Sequence, residues 1–249
     1  CFWLTNYIES WLSSEVWHFI TNATIANEYR EIFDKWAMKT VGNTDFVPFQ
    51  GHDFSSRGDY GWSAATSVGL AHNIAFVGGD NVSSYLDAQY YYDAPQNDFL
   101  KGKFTQTSVP ASEHSVQCAH YDPKKGTELD YLDWLLKKFP TGPLSIVCDG
   151  MDYWGFMTKT VPLRKKEILA RDGKVIFRPD SGDIVKIICG DLDAPMKSPV
   201  GKGSIQLLWD IFGGTVTDKG CRLLDSHVGL IYGDSVTLDI ADEVCMRLF

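Results

Sequence analysis

The chain has 249 residues, 44% of them hydrophobic, which is enough for one large α/β domain or two small ones. Its formal net charge of -9 argues against non-specific binding to nucleic acid, which needs a basic surface, but it does not exclude an anionic small ligand held by a local cluster of Arg and His. The sequence has no run of about 18 apolar residues, so no transmembrane helix is expected.

The cysteines indicate the cellular compartment of the protein, and the two chain ends indicate whether the sequence is truncated. The six cysteines show no CxxC spacing, which favours reduced thiols in a cytoplasmic protein. Cys1 opens directly into a helical pattern, and Phe249 lies inside another one. We therefore expect both ends to be cut.

The first predicted element is a long helix. Apolar residues recur at helical spacing from Leu4 to Ala37, and Gly42 ends the pattern. We predict that residues 1–42 form a helical segment that links to a missing N-terminal domain. Residues 43–249 are predicted to form a second domain, of the α/β class, that is truncated at its C-terminus.

From residue 46 onward, a short apolar run, a polar turn and a helical pattern alternate about six times, which implies parallel strands with helical crossovers. An open doubly wound sheet and a barrel share this pattern. We favour an irregular (β/α) barrel, incomplete here, because most turns carry a charged residue or His that could converge on one mouth. The predicted strands are 46–49, 74–77, 108–110, 144–147, 175–177 and 228–232. The predicted helices include 62–72, 127–139, 151–171 and 204–212, with others starting near 83, 114, 182 and 236.

The stretch 174–182 best illustrates the pattern. Its apolar run 175–177 predicts a buried strand, which Pro179 and Gly182 terminate. Arg178 and Asp180 therefore stand at the carboxyl end of a strand, where α/β sheets and barrels bind ligands. Taken alone, this stretch is equally consistent with a surface Arg–Asp pair beside a turn.

Charged residues recur at the predicted strand ends, and they suit a phosphorylated ligand held with Mg²⁺. Arg and His match phosphate oxygens as donors, and Mg²⁺ typically takes one or two carboxylates together with substrate phosphates. Each residue alone has a bland alternative, such as an ordinary turn or a core aromatic. The set consists of Asp53, Phe54 (as a flat stacking face), Arg57, Asp80, Glu113, His114, Asp149, Arg178, Asp180 and Asp234.

Several motifs resemble, in order and in spacing, those of the nicotinamide phosphoribosyltransferases, a family of type II phosphoribosyltransferases. The resemblance spans essentially the whole chain, and the motifs are specific only when taken together. They are His52-Asp53-Phe54 with Arg57-Gly58, Ser108-Val-Pro-Ala with Glu113-His114-Ser115, Arg178-Pro-Asp-Ser-Gly182, and Gly233-Asp234.

The resemblance implies that residues 43–249 are the catalytic domain, an irregular α/β barrel that lies beside a smaller α/β domain in a cytoplasmic homodimer. It implies transfer of phosphoribose from phosphoribosyl pyrophosphate to nicotinamide, giving nicotinamide mononucleotide and pyrophosphate with Mg²⁺, in the salvage of NAD. ATP would serve as a coupled energy source through phosphorylation of His114.

The resemblance also implies roles for individual residues. Phe54 would stack on the pyridine ring, with Arg178 on the ring's other side, and Asp80 would accept a hydrogen bond from the carboxamide. Arg57 and His114 would hold the diphosphate.

On the ribose side, Asp180, Gly233 and Asp234 would bind ribose and phosphate, and Asp149 and Asp180 would support Mg²⁺. The catalytic residues implied are His114, Asp149, Arg178 and Asp180.

Departures from the family pattern leave two alternatives open. Ser55-Ser56 replaces an expected Gly-Tyr, the neighbours of Asp80 differ, and the family's glycine-rich phosphate loop would lie beyond Phe249. One alternative is a nicotinate phosphoribosyltransferase, which an Asp at position 80 disfavours because it would face a like charge. The other is a truncated, non-catalytic homologue that binds nucleotide or a partner subunit.

Overall fold

The computed structural model describes residues 2–79, 84–94, 106–124 and 128–249. The chain divides into two compact units, Cys1–Ser108 and Val109–Phe249. This division differs from the boundary predicted at residue 42, because the long N-terminal helix packs on elements that follow that residue. Within the described residues, no helix combines the length and apolarity needed to span a membrane.

The first unit is mainly helical, with two very short strands that pair in parallel, His52 with Gly78 and Asp53 with Gly79. Thr107 forms a further parallel bridge to Gly78. The elements are α1 (Phe2–Thr40), a 3₁₀ turn (Val47–Phe49), β1 (His52–Asp53), a second 3₁₀ turn (Ser55–Arg57), α2 (Trp62–His72), β2 (Gly78–Gly79) and α3 (Ser84–Tyr92).

The C-terminal half of α1 is held by an apolar cluster. Ala26 and Ala37 on the helix are buried with Val47 and Phe76, and the rings of Phe33 and Phe76 lie 5.9 Å apart, edge to face. Burial of such apolar surface, at about 25 cal/mol per Å², is what stabilises a helix of this length. The helix is therefore packed within the first unit, and the domain organisation of the full-length protein stays a prediction.

The second unit is built on parallel strands. Its elements are α4 (His114–His120), α5 (Leu129–Lys138), β3 (Leu144–Val147), α6 (Tyr153–Gly155), a π-helical turn (Phe156–Thr160), a 3₁₀ turn (Val161–Arg164), α7 (Lys165–Leu169), β4 (Val175–Arg178), α8 (Ile184–Cys189), α9 (Pro199–Phe212), β5 (Gly214–Val216), β6 (Arg222–Leu224), β7 (Val228–Leu230) and α10 (Leu238–Leu248).

The sheet of the second unit has the order β3-β4-β7 with all strands parallel. Ala111 bridges in parallel to Ser145 of β3, so the segment before α4 runs along the other edge of that strand. Every residue of β3 is buried, as expected for a parallel sheet covered on both faces. The four segments therefore have their carboxyl ends at one edge of the sheet.

The α/β class and the parallel strands 144–147 and 175–177 are confirmed, and of the strand predicted over 228–232 the residues 228–230 are confirmed. The strand predicted over 46–49 is wrong, because this segment forms a 3₁₀ turn with Pro48 in its first residues, where a fixed φ suits a helical turn. The strands of the described residues form one three-stranded and two two-stranded sheets, so closure into a barrel stays a prediction. The antiparallel pair β5 and β6 was not predicted.

Candidate active site

The second unit brings together four of the predicted site residues at the carboxyl ends of neighbouring strands. His114 begins α4, Asp149 follows β3, and Arg178 ends β4, two residues before Asp180. The order of the parallel segments places these loops side by side, which is the usual position of a ligand site in an α/β sheet.

Asp149 is the centre of this cluster. Its Oδ1 lies 3.0 Å from Nε2 of His114, and its Oδ2 accepts hydrogen bonds from the amide of Asp180 at 2.8 Å and from the hydroxyl of Ser181 at 2.5 Å. The carboxylate side chain is only 3% exposed, whereas that of His114 is 46% exposed. Asp149 therefore orients an imidazole that solvent and ligands can reach.

The charge state of Asp149 follows from these contacts. Burial alone would raise the pKa of its carboxyl, but the hydrogen bonds from Ser181, the Asp180 amide and His114 outweigh burial and hold the pKa below its usual range. Asp149 is thus a carboxylate at neutral pH, and His114 faces a full negative charge.

Arg178 and Asp180 form the second part of the cluster. Nε of Arg178 lies 3.3 Å from Oδ2 of Asp180, and Nη2 of Arg178 donates to the carbonyl oxygen of Ser112 at 2.7 Å. The arginine is 5% exposed, so its guanidinium is fixed by the end of the neighbouring segment. Burial raises the pKa of Asp180, with the charge of Arg178 opposing the rise and that of Asp149 adding to it.

Gly233 borders this ion pair, and Asp234 lies farther out. A Cβ placed on Gly233 would lie 3.1 Å from Oδ1 of Asp180 and 3.9 Å from Cδ of Arg178, so a side chain at this position would crowd the ion pair. Asp234 is exposed, and its Oδ1 accepts a hydrogen bond from the hydroxyl of Ser235. The structure therefore places Gly233 in the cluster and Asp234 at its solvent side.

Residues that sequence reasoning did not assign support the cluster from below. The hydroxyl of Ser112 lies 2.5 Å from that of Tyr131 and accepts from the amide of Val147, and the Tyr131 hydroxyl donates to the Val147 carbonyl. These bonds tie the segment before α4 to the end of β3. Ser112 lies between the two motifs 108–111 and 113–115, whereas Tyr131 carries no local signal, because its partners are distant in sequence.

Phe54 and Arg57 belong to the first unit. Half-buried Phe54 follows β1, and exposed Arg57 ends the next 3₁₀ turn. The buried Asp53 accepts from the amide of Ser55 and so shapes the turn that presents both side chains. Asp80 lies outside the described residues. Glu113 is exposed and precedes α4 without capping it through its side chain.

The predicted metal ligands fit Mg²⁺ unequally. No group of three or more His, Cys, Asp or Glu side chains suited to a metal occurs in the part of the chain that the structure describes. Oδ1 of Asp180 is buried and lacks a hydrogen-bond partner among the described residues, which suits a single carboxylate ligand shared with substrate phosphates. Both oxygens of Asp149 already accept hydrogen bonds, so Asp149 is the weaker candidate.

The chain is similar to known proteins over nearly all of its length. It is 44% identical to a nicotinamide phosphoribosyltransferase of Acinetobacter baylyi, in an alignment covering 99% of this chain and 48% of that protein. It is 33% identical to a protein of the same name from Mycoplasma pneumoniae, covering 99% of this chain and 50% of the relative. A third relative, from Mycoplasma genitalium, is 34% identical over 94% of this chain.

The chain therefore spans about half the length of the curated relatives it matches. Its residues 49–248 match the sequence model of one protein family, and this range includes every residue of the cluster described above. On this match the chain belongs to the nicotinate phosphoribosyltransferase (NAPRTase) family.

Proposed function

We propose that the full-length protein that contains this chain transfers phosphoribose from phosphoribosyl pyrophosphate to nicotinamide, giving nicotinamide mononucleotide and pyrophosphate in NAD salvage. The observation that carries the proposal is the Asp149 cluster, which joins His114, Arg178 and Asp180 at one edge of a parallel sheet. The names of the relatives support nicotinamide as the acceptor.

The chemistry of the cluster suits this transfer. Displacement at the anomeric carbon builds positive charge on the ribose and negative charge on the departing pyrophosphate. The carboxylate of Asp180 would stabilise the first charge, and His114, held by Asp149, would donate to the second. The guanidinium of Arg178 is held in place by the carbonyl oxygen of Ser112, so this part of the site needs little rearrangement during the reaction.

Mg²⁺ would be held by the phosphates of the substrate and by Asp180, with Asp149 as a further ligand, and would add positive charge against the leaving pyrophosphate. Gly233 would let the ribose approach Asp180, and Asp234 would contact the ribose-phosphate from the solvent side. We also propose that ATP drives turnover through phosphorylation of His114, whose side chain is accessible.

The residues of the first unit would serve the base and the diphosphate. Phe54 would stack on the pyridine ring, with Arg178 on its other side, and Arg57 would bind the diphosphate through bidentate hydrogen bonds. Asp80 would accept a hydrogen bond from the carboxamide. We further propose the type II barrel, a homodimer and a cytoplasmic location for the full-length protein, all on the family resemblance.

The test is product formation from phosphoribosyl pyrophosphate and Mg²⁺ with labelled nicotinamide, and with nicotinate in parallel, using the full-length protein. Nicotinamide-selective product is the expected result. Asp80→Asn should relax the selectivity, because an amide does not repel the carboxylate of nicotinate. Asp45→Asn, which changes an exposed carboxylate of the same unit, is the matched control and should leave selectivity unchanged.

Other outcomes would change the assignment. Preferential use of nicotinate would make the protein a nicotinate phosphoribosyltransferase, in keeping with the name of the family. If neither base gives product and the protein binds nucleotide tightly, the non-catalytic homologue would be favoured. Unchanged discrimination in Asp80→Asn would remove the role given to Asp80.

A further inference from the structure

A buried chain of hydrogen bonds lies beneath the candidate site. The backbone amide of Gly150 donates to Oε1 of Gln117 at 2.9 Å, and Nε2 of Gln117 in turn donates to Oε1 of Glu128. Gln117 is fully buried, and Glu128 is only 3% exposed. These polar groups therefore stand in the interior of the second unit and not on its surface.

The position of this chain connects it to the site. Gln117 lies on α4 three residues after His114, and Gly150 directly follows Asp149. The glutamine side chain thus ties the helix that carries the imidazole to the loop that carries the carboxylate. The approach is close, because a Cβ on Gly150 would lie 2.5 Å from Oε1 of Gln117.

The order of donors and acceptors explains why a glutamine stands here. The Gly150 amide requires an acceptor, which the amide oxygen of Gln117 provides, and the amide nitrogen then requires an acceptor of its own. Glu128 supplies it. Burial raises the pKa of Glu128 to about 7, with the hydrogen bond from Gln117 opposing the rise and the charge of Asp152 adding to it.

Burying these groups costs free energy that an apolar side chain would avoid. Packing alone would be served by a leucine or methionine at position 117. The hydrogen bonds of Gln117 add geometric specificity, since a buried hydrogen-bonded network holds its members in one arrangement. That arrangement sets the place of Gly150, and Asp149 is its covalent neighbour.

We propose that Gln117 and Glu128 are positioning residues that hold the Gly150 amide and thereby keep the Asp149 carboxylate aligned with His114. The inference rests on the proposed phosphoribosyl transfer for its kinetic consequence. The hydrogen bonds that join Gly150, Gln117 and Glu128 do not depend on the reaction, so they can be tested separately by hydrogen exchange.

The kinetic test removes the acceptor of the Gly150 amide in the full-length protein. Gln117→Met with Glu128→Leu deletes both hydrogen bonds of the chain and should lower kcat by about 100-fold, the size expected when a reacting group is misplaced by about 1 Å. Gln117→Glu with Glu128→Gln keeps both bonds, because the introduced carboxylate accepts from the Gly150 amide and from the introduced amide, and its kcat should stay within about 10-fold of wild type.

The control is Gln206→Met on α9. Gln206 also donates to a carboxylate, that of Asp210, but this hydrogen bond is exposed. The control removes a glutamine hydrogen bond away from the site, so its kcat should equal that of wild type. Thermal unfolding of every variant separates loss of alignment from loss of fold. If Gln117→Met with Glu128→Leu does not fold, Gln117→Met alone replaces it and should show the same loss of kcat.

The second readout is hydrogen exchange of the Gly150 amide, followed by mass spectrometry or NMR. Exchange should accelerate in Gln117→Met with Glu128→Leu and should stay near the wild-type rate in Gln117→Glu with Glu128→Gln. A folded Gln117→Met, Glu128→Leu protein with wild-type kcat, or a Gln117→Glu, Glu128→Gln protein that loses kcat as strongly, would overturn the positioning role. If the wild-type enzyme makes no product, the proposed function fails, and an unchanged exchange rate in Gln117→Met with Glu128→Leu would then overturn the hydrogen-bonded link itself.

Discussion

Removal of the Asp149 carboxylate is the most direct test of the cluster. Asp149→Ala deletes the acceptor of three hydrogen bonds and leaves the donors of Ser181, His114 and the Asp180 amide without it. The His114 and Ser181 donors are exposed and can turn to water, whereas the part-buried Asp180 amide cannot follow. Since a bond to a charged group contributes about 1.5–3 kcal/mol, we expect the free energy of unfolding to fall by about 2–4 kcal/mol.

The pH dependence gives this prediction its sign. The pKa of Asp149 is lowered in the folded state, so its stabilisation is complete above the unfolded pKa of about 4 and is lost as pH falls through the folded value. The difference between Asp149→Ala and wild type should therefore shrink as the pH falls below about 4.

Urea unfolding of the full-length protein, followed by circular dichroism, measures this difference. Asp234→Asn is the control, because that exposed carboxylate accepts from only its neighbour Ser235 among the contacts described, and it should change stability by less than about 0.5 kcal/mol. A difference for Asp149→Ala that is equally small, or one that does not shrink below about pH 4, would refute the reasoning.

Three further predictions concern other parts of the second unit. Gly203→Ala should lower the free energy of unfolding by about 3 kcal/mol or more, because φ is +73° and a Cβ would lie 2.2 Å from the Gly190 nitrogen. Gly220→Ala, where φ is +82° and the surrounding space is open, should lower it by only about 1 kcal/mol. Equal shifts in Tm for the two variants would contradict this prediction. Arg178→Lys should lower kcat/KM by about 10-fold or more without unfolding the protein, since an ammonium cannot form the paired, planar hydrogen bonds of a guanidinium. Unchanged kinetics would show that the arginine has no role in the site. Ser198→Ala should cost about 1 kcal/mol in urea unfolding through loss of the N-cap of α9, and a neutral result would show that the cap is replaced by water.

The parts of the fold that could be predicted are those with a local signal. The strands 144–147 and 175–178 are apolar runs between turn residues, and both are largely buried in the structure. By contrast, β1 and β2 have two residues each, too few for any periodicity, so their positions depend on the neighbours with which they pair.

The same contrast holds for the candidate site. His114, Asp149, Arg178 and Asp180 could be predicted because charged residues at strand ends stand out from apolar surroundings. The supporting groups could not. The role of Gln117, for example, depends on a partner 33 residues away, and nothing in its immediate sequence distinguishes it from an exposed glutamine.

The order of the parallel segments also governs when the cluster can form. His114 and Asp149 are 35 residues apart, and Arg178 reaches back 66 residues to Ser112. Contacts between residues this far apart in sequence form only after a long loop has closed, and the entropy lost on loop closure slows folding. Asp149 is also synthesised before Asp180 and Ser181, which follow β4 and donate to its carboxylate. The cluster therefore cannot form until the chain has been made to residue 181 and β4 lies beside β3.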